Sequence, residues 1–564
     1  MMDVQDIVNT LQAWFSEAVA CQSSAPERAV ALYQEILKIA PDHLDSWGNL
    51  ALVYQRQQDE QALRGLIGQA PKDACNRLTL VLAELLFMKE DWQGVIDCLW
   101  AYPSELPESL EALSLLGKSF CELEKYDLAF ATYHKALSIY PASIIPYCRL
   151  AALCIELGQY QDACQFADQA CQLDSVAAEP LMLRALAARY LDDWVSASRL
   201  LRQALALDPR STELWCDYGI VLHGQQKLQQ ALVAFDNALA LRPDHALSNW
   251  NRSLVLLEMG HYAEAWPAYT WRWRAAINGR MPELKSALWQ GESLDGKRIL
   301  VFEEQGLGDC LHFIRYVPML LRQGATVYLD IPNPLHALCK QTWPNVQFAD
   351  KFDVQTEYHV PIMNLPLWLD RGAKPLCDIP YLQVPDTQVA KWSDLLAPYK
   401  GRQQVQIGLV WQGSRRQGFA RSEWLDNRRS IPLSLFTPLA AVPNVTFHSL
   451  QKGIAPDVDA ARQLQLVDLT VNIEDFADTA AYLQQLDLLI SVDTSVVHLA
   501  GALGVPVWLL NRYDSDWRWG HNRTDCDWYS SVYQFRQISF GDWGNVMNRV
   551  ANALKQQMQI DKKS

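Results

Sequence analysis

The chain has 564 residues, half of them hydrophobic and 20% charged, with a formal net charge of −15. That length is too great for one compact core and predicts about three or four folding units in an ordinary globular, not disordered, chain. Despite 49 lysines and arginines there is no Lys/Arg-rich run and no interleaved basic–aromatic patch, which argues against nucleic acid as a partner.

The start, Met1-Met2-Asp3-Val4-Gln5-Asp6, has neither a basic n-region nor an apolar core leading to a cleavage site. No stretch approaches the roughly 20 apolar residues that span a bilayer. The expectation is a cytoplasmic protein without a transmembrane segment. Thirteen cysteines agree with a reducing compartment: Cys148, Cys154, Cys164 and Cys171 fall where a helical pattern wants a small apolar residue, and no C-x-x-C pair suggests a metal site.

The first half repeats every 34 residues. Ala129, Ala163, Ala197, Ala231 and Ala265 keep that interval, and Tyr133, Ala167, Leu201, Phe235 and Tyr269 follow each alanine by four. Pro141, Pro209 and Pro243 close their units, with Ser175 in place of one proline; Leu116-Gly117 with Phe120, and Trp215 with Tyr218-Gly219, mark the preceding helices. Paired helices explain the pattern, since a small residue at the crossing lets backbones approach, an aromatic fills the groove and proline ends the second helix. Over about residues 10–275 the chain resembles the tetratricopeptide repeat (TPR) family, in some seven or eight repeats. Ala29, Tyr33 and Pro41 fit an early unit, whereas 42–107 keeps the helical pattern with shifted spacing and reads as two degenerate repeats. A superhelical solenoid of this length presents a concave face suited to a protein or peptide. The array serving only for self-association, as in a homo-oligomer, or as a prop for the second half is the competing reading.

Near Trp271-Arg272-Trp273 the helical period stops. Arg298–Phe302 reads as a buried strand, followed by Glu304-Gln305-Gly306-Leu307-Gly308-Asp309, a helix through Arg315 to Leu321, and a strand at Val327–Leu329. A second series places strands at 405–411, 445–450 and 486–492. It continues with a helix over 496–503, a strand to Leu510 and a closing helix near 545–557. The expected fold class is α plus α/β: the solenoid over 1–275, then two facing Rossmann-like lobes at 290–395 and 400–560.

Gly306-Leu307-Gly308-Asp309, and Asp493-Thr494-Ser495-Val496-Val497-His498 followed by Gly501, Gly504 and Pro506, resemble the bacterial heptosyltransferase-like glycosyltransferases of the GT-B fold over about residues 290–555. The resemblance implies an inverting transferase that uses a nucleotide-diphospho-sugar as co-substrate, with no cofactor and no essential metal. It also implies Asp309 as catalytic base and Asp493 as donor-sugar ligand, with Gly306 and Gly308 in the first loop. Thr494 and Ser495 begin a helix whose backbone N–H groups suit a diphosphate, and His498 shares a helical face with Thr494. Helix capping by Asp493 and core packing by His498 are the alternatives. For Asp309 the alternative is an N-cap, because a helix N-terminus favours the carboxylate anion and weakens the base; His312 is a second candidate base. Gly413 and Ser414 end a strand, and Arg428 or Arg429 follows where the family places a basic phosphate ligand, a solvated turn being the other reading. Gln451 and Lys452 stand near the expected base and ribose. Asp514-Ser515-Asp516 is a D-x-D that reads as a loop, beside Trp517, Trp519, Trp528 and Tyr529, which form either a sugar-stacking wall or a core edge.

These readings converge on a nucleotide-sugar transferase acting on a protein acceptor held by the repeats. A lipopolysaccharide or other glycan acceptor, and a non-catalytic binding scaffold, are the alternatives. The TPR-plus-transferase plan is also similar to O-linked N-acetylglucosamine transferases, although the two motifs match the heptosyltransferase-like group better.

Overall fold

The computed structural model describes residues 4–100, 109–275, 277, 279–370, 380–400, 404–413 and 420–560. It divides into two compact units, Met1–Leu207 and Asp208–Ser564.

The first unit is helical hairpins throughout its described residues, Val4–Cys21 with Pro26–Ile39 at one end and Ala178–Tyr190 with Trp194–Leu207 at the other. Ala29, Ala129, Ala163 and Ala197 are fully buried, as a helix crossing requires. A Cβ on Gly117 would collide with the ring of Tyr133, which ties the small position of one helix to the aromatic of the next. Among its described residues the degenerate stretch holds two hairpins, Leu44–Arg56 with Glu60–Gln69 and Lys72–Met88 with Trp92–Trp100, and the second helix of the first is cut to 10 residues. That shortening shifts the spacing. After the first hairpin, each turn inside a hairpin carries a left-handed residue: Gln58, Glu90, Glu124, Gly158 and Asp192, then Gln226 and Gly260 in the second unit.

The second unit opens with two more hairpins, Thr212–Gly224 with Leu228–Leu241 and Ala246–Glu258 with Tyr262–Tyr269. On Gly219 a Cβ would sit 2.6 Å from Phe235, repeating the small–aromatic pairing. These hairpins do not stand apart from the α/β region. Phe235, Tyr262, Trp266 and Tyr269 share one continuous core with Ile299, Val301 and Phe313. The expected boundary at residue 275 therefore divides a core, and the compact unit begins at Asp208.

Two parallel sheets follow. The first has strands β1 (Ala287–Leu288), β2 (Arg298–Phe302), β3 (Thr326–Asp330), β4 (Gln347–Phe348) and β5 (Tyr358–Pro361), in the order β1-β5-β2-β3-β4. In the second lie β6 (Val405–Val410), β7 (Val445–Ser449), β8 (Val467–Asp468), β9 (Leu488–Val492), β10 (Val507–Asn511) and β11 (Val532–Arg536), in the order β11-β10-β9-β6-β7-β8. Every pairing is parallel. The second sheet begins at the central strand β6, grows to one edge and then returns to fill the other side; the first does the same from β2, with β1 as an edge strand laid down beforehand beside β5. The direction reverses beside β2 and β5 in one sheet and beside β6 and β9 in the other, and such reversal points open a ligand crevice at the strands' carboxyl ends.

The helix Asp386–Leu396, expected with the first lobe, packs on the second. Trp392 stacks on Tyr482 with ring centroids 4.4 Å apart, and both Trp392 Nε1 and Lys391 Nζ donate to Asp478. The closing helix Trp543–Ile560 covers the far face of the second sheet through Val546, Val550 and Leu554.

Candidate functional site

The carboxyl ends of both sheets meet in a cleft of about 1260 Å³. Glu303 and the Gly306–Asp309 loop after β2 form one wall, and Gln412, Gly413, Lys452 and Asp493–Val496 form the other.

Two helices meet across it. Leu307–Phe313 starts after Gly306, and Ser495–Leu503 after Thr494, with the N-terminal end of each at the cleft. They approach closely because Gly308 has no side chain: a Cβ there would lie 3.1 Å from the His498 ring and 3.5 Å from Ser495 Cα. Gly501 is required on similar grounds, since a Cβ would enter the Tyr529 ring. Gly504 has φ +73° and ends the helix in the left-handed conformation.

Asp309 is engaged at both oxygens. Oδ1 accepts from Arg518 Nη2 at 2.5 Å, and Oδ2 accepts from the Gly306 N–H at 3.1 Å. The carboxylate thus closes its own helix's N-terminus while pairing across the lobes. Arg518, 7% exposed, also donates through Nη1 to Asp516 Oδ1 at 2.8 Å, so one guanidinium holds a carboxylate from each lobe. Sequence reasoning missed Arg518, the residue that organises this pair.

Asp493 lines the cleft just ahead of Thr494, the residue in the cap position; capping by Asp493 itself is not what the structure contains. Burial, and then the nearby Asp516 charge, push its carboxyl above the usual range against the pull of Arg429. Asp516 goes the other way, because Arg518 and Arg512 together outweigh the effect of burial. Thr494 Oγ1 lies 3.4 Å from Ser491 Oγ, and Ser495 is the first helical residue.

His498 is 5% exposed, and burial, followed by Arg518, lowers its pKa to about 3. The ring is therefore neutral. Its Nδ1 lies 3.0 Å from Tyr529 Oη, which leaves Nε2 as the nitrogen for the cleft that His498 lines. His312, the second candidate base, is displaced from that role: it is fully buried, holds no hydrogen bond at either ring nitrogen, and packs 4.4 Å from Trp528. Trp517, Trp519, Trp528 and Tyr529 are buried as well, which settles them as core edge and not as a sugar-stacking wall.

The two arginines separate. Arg429 lines the cleft, pairs with Asp426 at 2.5 Å and directs Nη1 towards the Asp493 carbonyl at 3.4 Å. A Cβ on Gly413 would fall 2.7 Å from its guanidinium, so that glycine makes room for it. Arg428 instead pairs with Asp514 at 2.6 Å and stacks on Trp424, away from the residues that line the cleft. With Asp514 on Arg428 and Asp516 on Arg518, both D-x-D carboxylates are held by arginines. Ser414 lies outside the described residues.

Gln451 lines the cleft but spends its Oε1 on the N–H groups of Trp411 and Gln412, at 3.2 and 2.9 Å, fixing the loop after β6. Lys452 donates to the Ile473 and Glu474 carbonyls at 2.6 and 3.3 Å, which anchors its ammonium at the cleft without neutralising it. Leu450, Ile454, Ile473 and Phe476 make that end of the cleft apolar. The arrangement therefore offers a helix N-terminus with two cations, an apolar recess beside them, and carboxylates on the facing wall. No group of metal-ligating side chains occurs among the described residues.

Comparison with known proteins bears on the helical half most directly. The tetratricopeptide repeat family profile matches residues 146–176. The chain carries tetratricopeptide repeats. It is 26% identical over 440 residues to Protein FlbA of Caulobacter vibrioides, covering 66% of this chain and 72% of FlbA. Superkiller protein 3 of Saccharomyces cerevisiae is 23% identical over 159 residues, which span 27% of this chain and 11% of the yeast protein. Among solved structures, the APC/C hetero-tetramer Cut9–Hcn1 aligns at 16% identity with a TM-score of 0.37, over 48% of this chain and 53% of that one. The FlbA match is longer than the repeat region and so extends into the α/β half. Among the described residues no helix is long and apolar enough to cross a membrane.

Proposed function

We propose that the α/β region is a GT-B-type glycosyltransferase which moves a sugar from a nucleoside-diphosphate donor to a protein acceptor engaged by the repeats. The observation that carries this reading is the convergence of the Ser495 helix N-terminus, Arg429 and Lys452 on one wall of a cleft whose other wall bears carboxylates. Backbone N–H groups and fixed cations suit a diphosphate, and they stabilise it further as the anomeric bond breaks and charge builds on the leaving group. The nucleoside then occupies the apolar recess at Ile454, Ile473 and Phe476, and the sugar lies towards Asp493 and His498. A neutral His498 donates or accepts a hydrogen bond with a sugar hydroxyl without adding charge. The acceptor enters from the wall of β2, where Glu303 and Asp309 stand. In this reading the transfer inverts the anomeric centre and takes place without a metal.

A polypeptide is the acceptor in this reading because stacked helical repeats expose a long surface suited to an extended chain. A glycan or lipopolysaccharide acceptor leaves that surface without a role. The test has two stages. Calorimetric titration with UDP, GDP, ADP and CDP should give saturable binding that weakens in Arg429→Ala. Incubation with the corresponding nucleotide-sugars and cell protein should then release nucleoside diphosphate and add one sugar mass to a polypeptide. Binding without turnover would favour a scaffold; sugar appearing only on glycan would favour the glycan acceptor.

A further inference from the structure

The resemblance gives the proton-abstracting role to Asp309, yet its geometry is that of a structural anion. One oxygen is taken by a buried arginine at 2.5 Å and the other by a backbone N–H at 3.1 Å. Protonating such a group removes the counter-charge of Arg518, a costly step at low exposure, and the helix N-terminus opposes it further.

Six residues earlier the same wall carries a second carboxylate. Glu303 follows the last residue of β2, its backbone N–H is held by the Asp330 carbonyl at 2.9 Å, and its side chain lines the cleft beside Gly306, Pro332 and Pro334. No hydrogen bond or ion pair of its carboxylate occurs among the described residues. The charged groups that act on it are Glu304 and Asp309 from its own loop, Asp330 from β3, and Lys351. Lys351 is committed to Asp330 at 3.4 Å. Burial, only partly countered by Lys351, pushes the Glu303 carboxyl above its usual range. A carboxylate that is half-buried, unpaired and raised is a stronger proton acceptor than one locked to arginine.

We propose that Glu303 is the catalytic base of the transfer, and that Asp309 is a positioning residue which, through Arg518, holds the glycine loop against the second lobe. The inference rests on the sugar-transfer reading above. In the step itself the acceptor oxygen forms a bond to the anomeric carbon. The bond from that carbon to the diphosphate oxygen breaks, its electron pair leaving with the nucleoside diphosphate. The acceptor's proton passes to the Glu303 carboxylate and from there to solvent.

The test compares full-length wild type with Glu303→Gln, Glu303→Asp and Asp309→Asn, using UDP-glucose, UDP-N-acetylglucosamine, GDP-mannose and ADP-glucose. Release of nucleoside diphosphate is followed; water serves as acceptor where none is supplied and has the same proton to lose. Glu303→Gln should lose about 10²- to 10⁴-fold in kcat while keeping nucleoside-diphosphate affinity. Glu303→Asp should retain part of the rate with a displaced acid limb in the pH profile of kcat. Asp309→Asn should weaken substrate affinity and lower the melting temperature, while the acid limb stays in place. Unchanged affinity for UDP or GDP confirms that the two Glu303 variants are folded, and a cooperative thermal transition confirms it for Asp309→Asn. If wild type turns over but Glu303→Gln stays within threefold of it, Glu303 is not the base and the sugar-transfer reading survives. If wild type turns over none of the four donors, that reading falls and this one with it.

Discussion

Removing the helical repeats should succeed or fail according to where the cut is made. A fragment beginning at residue 276 discards Tyr262, Trp266 and Tyr269, which are 8%, 3% and 2% exposed and belong to the core of the first sheet. It also discards Arg272, whose Nε and Nη2 reach Glu304 at 2.6 and 2.8 Å with both side chains 2% exposed. Each aromatic contributes about 2–3 kcal/mol through burial, and leaving Glu304 buried without its cation costs about 3–5 kcal/mol. The total, about 9–14 kcal/mol as an upper bound, matches the whole stability of a typical domain. Residues 276–564 should therefore be insoluble or molten, whereas 208–564 should fold. Far-UV circular dichroism with urea unfolding decides the matter. A 276–564 fragment that unfolds cooperatively, with a midpoint close to that of 208–564, would refute the shared-core reasoning.

Within the cleft, a double-mutant cycle on Asp309→Asn and Arg518→Met should give a coupling energy of about 1.5–3 kcal/mol in urea unfolding, and a value below ~0.5 kcal/mol would mean that the pair is incidental. His498 and His448, with pKa values lowered by burial to about 3 and about 4, bind protons more readily when unfolded. Their neutral forms therefore stabilise the fold fully above about pH 6.5, and that contribution is lost as pH falls from there towards 4. Urea midpoints across this range should decline, with a shallower slope in His448→Gln; equal slopes would rule out His448 as a source. Gly501→Ala drives a methyl group into the Tyr529 ring and should cost about 1–3 kcal/mol, seen as a fall of several degrees in melting temperature, about 2–4 °C per kcal/mol.

Much of the fold was written in short-range patterns. The 34-residue alanines are buried at hairpin crossings, and the strands at 298–302 and 405–410 lie within a residue of where apolar runs place them. Other elements carry no such signal. β1, β4 and β8 have two residues each, and β5, Tyr-His-Val-Pro, contains a histidine and a proline that argue against a central strand. The left-handed hairpin turns were also hidden, because Glu90, Glu124, Asp192 and Gln226 stand where glycine would have announced them. At the cleft, local motifs located both helix N-termini. Adjacent residues on a helix point about 100° apart, so the sequence placed a basic ligand near 428 and 429 without telling which side chain faces inward. Arg518 pairs with a residue 209 positions away, a distance over which one sequence carries no information.

The Arg272–Glu304 ion pair has a mechanical consequence. Glu304 is held by the end of the last hairpin, and its neighbour Gln305 reaches Tyr269 Oη at 3.4 Å. Glu303 and the Gly306–Asp309 turn bracket these two residues on one short span of chain. The rim of the cleft is thus clamped to the helices at its midpoint, like a hinge leaf screwed to a frame. A load that flexes the final hairpin is delivered directly to the loop that lines the cleft.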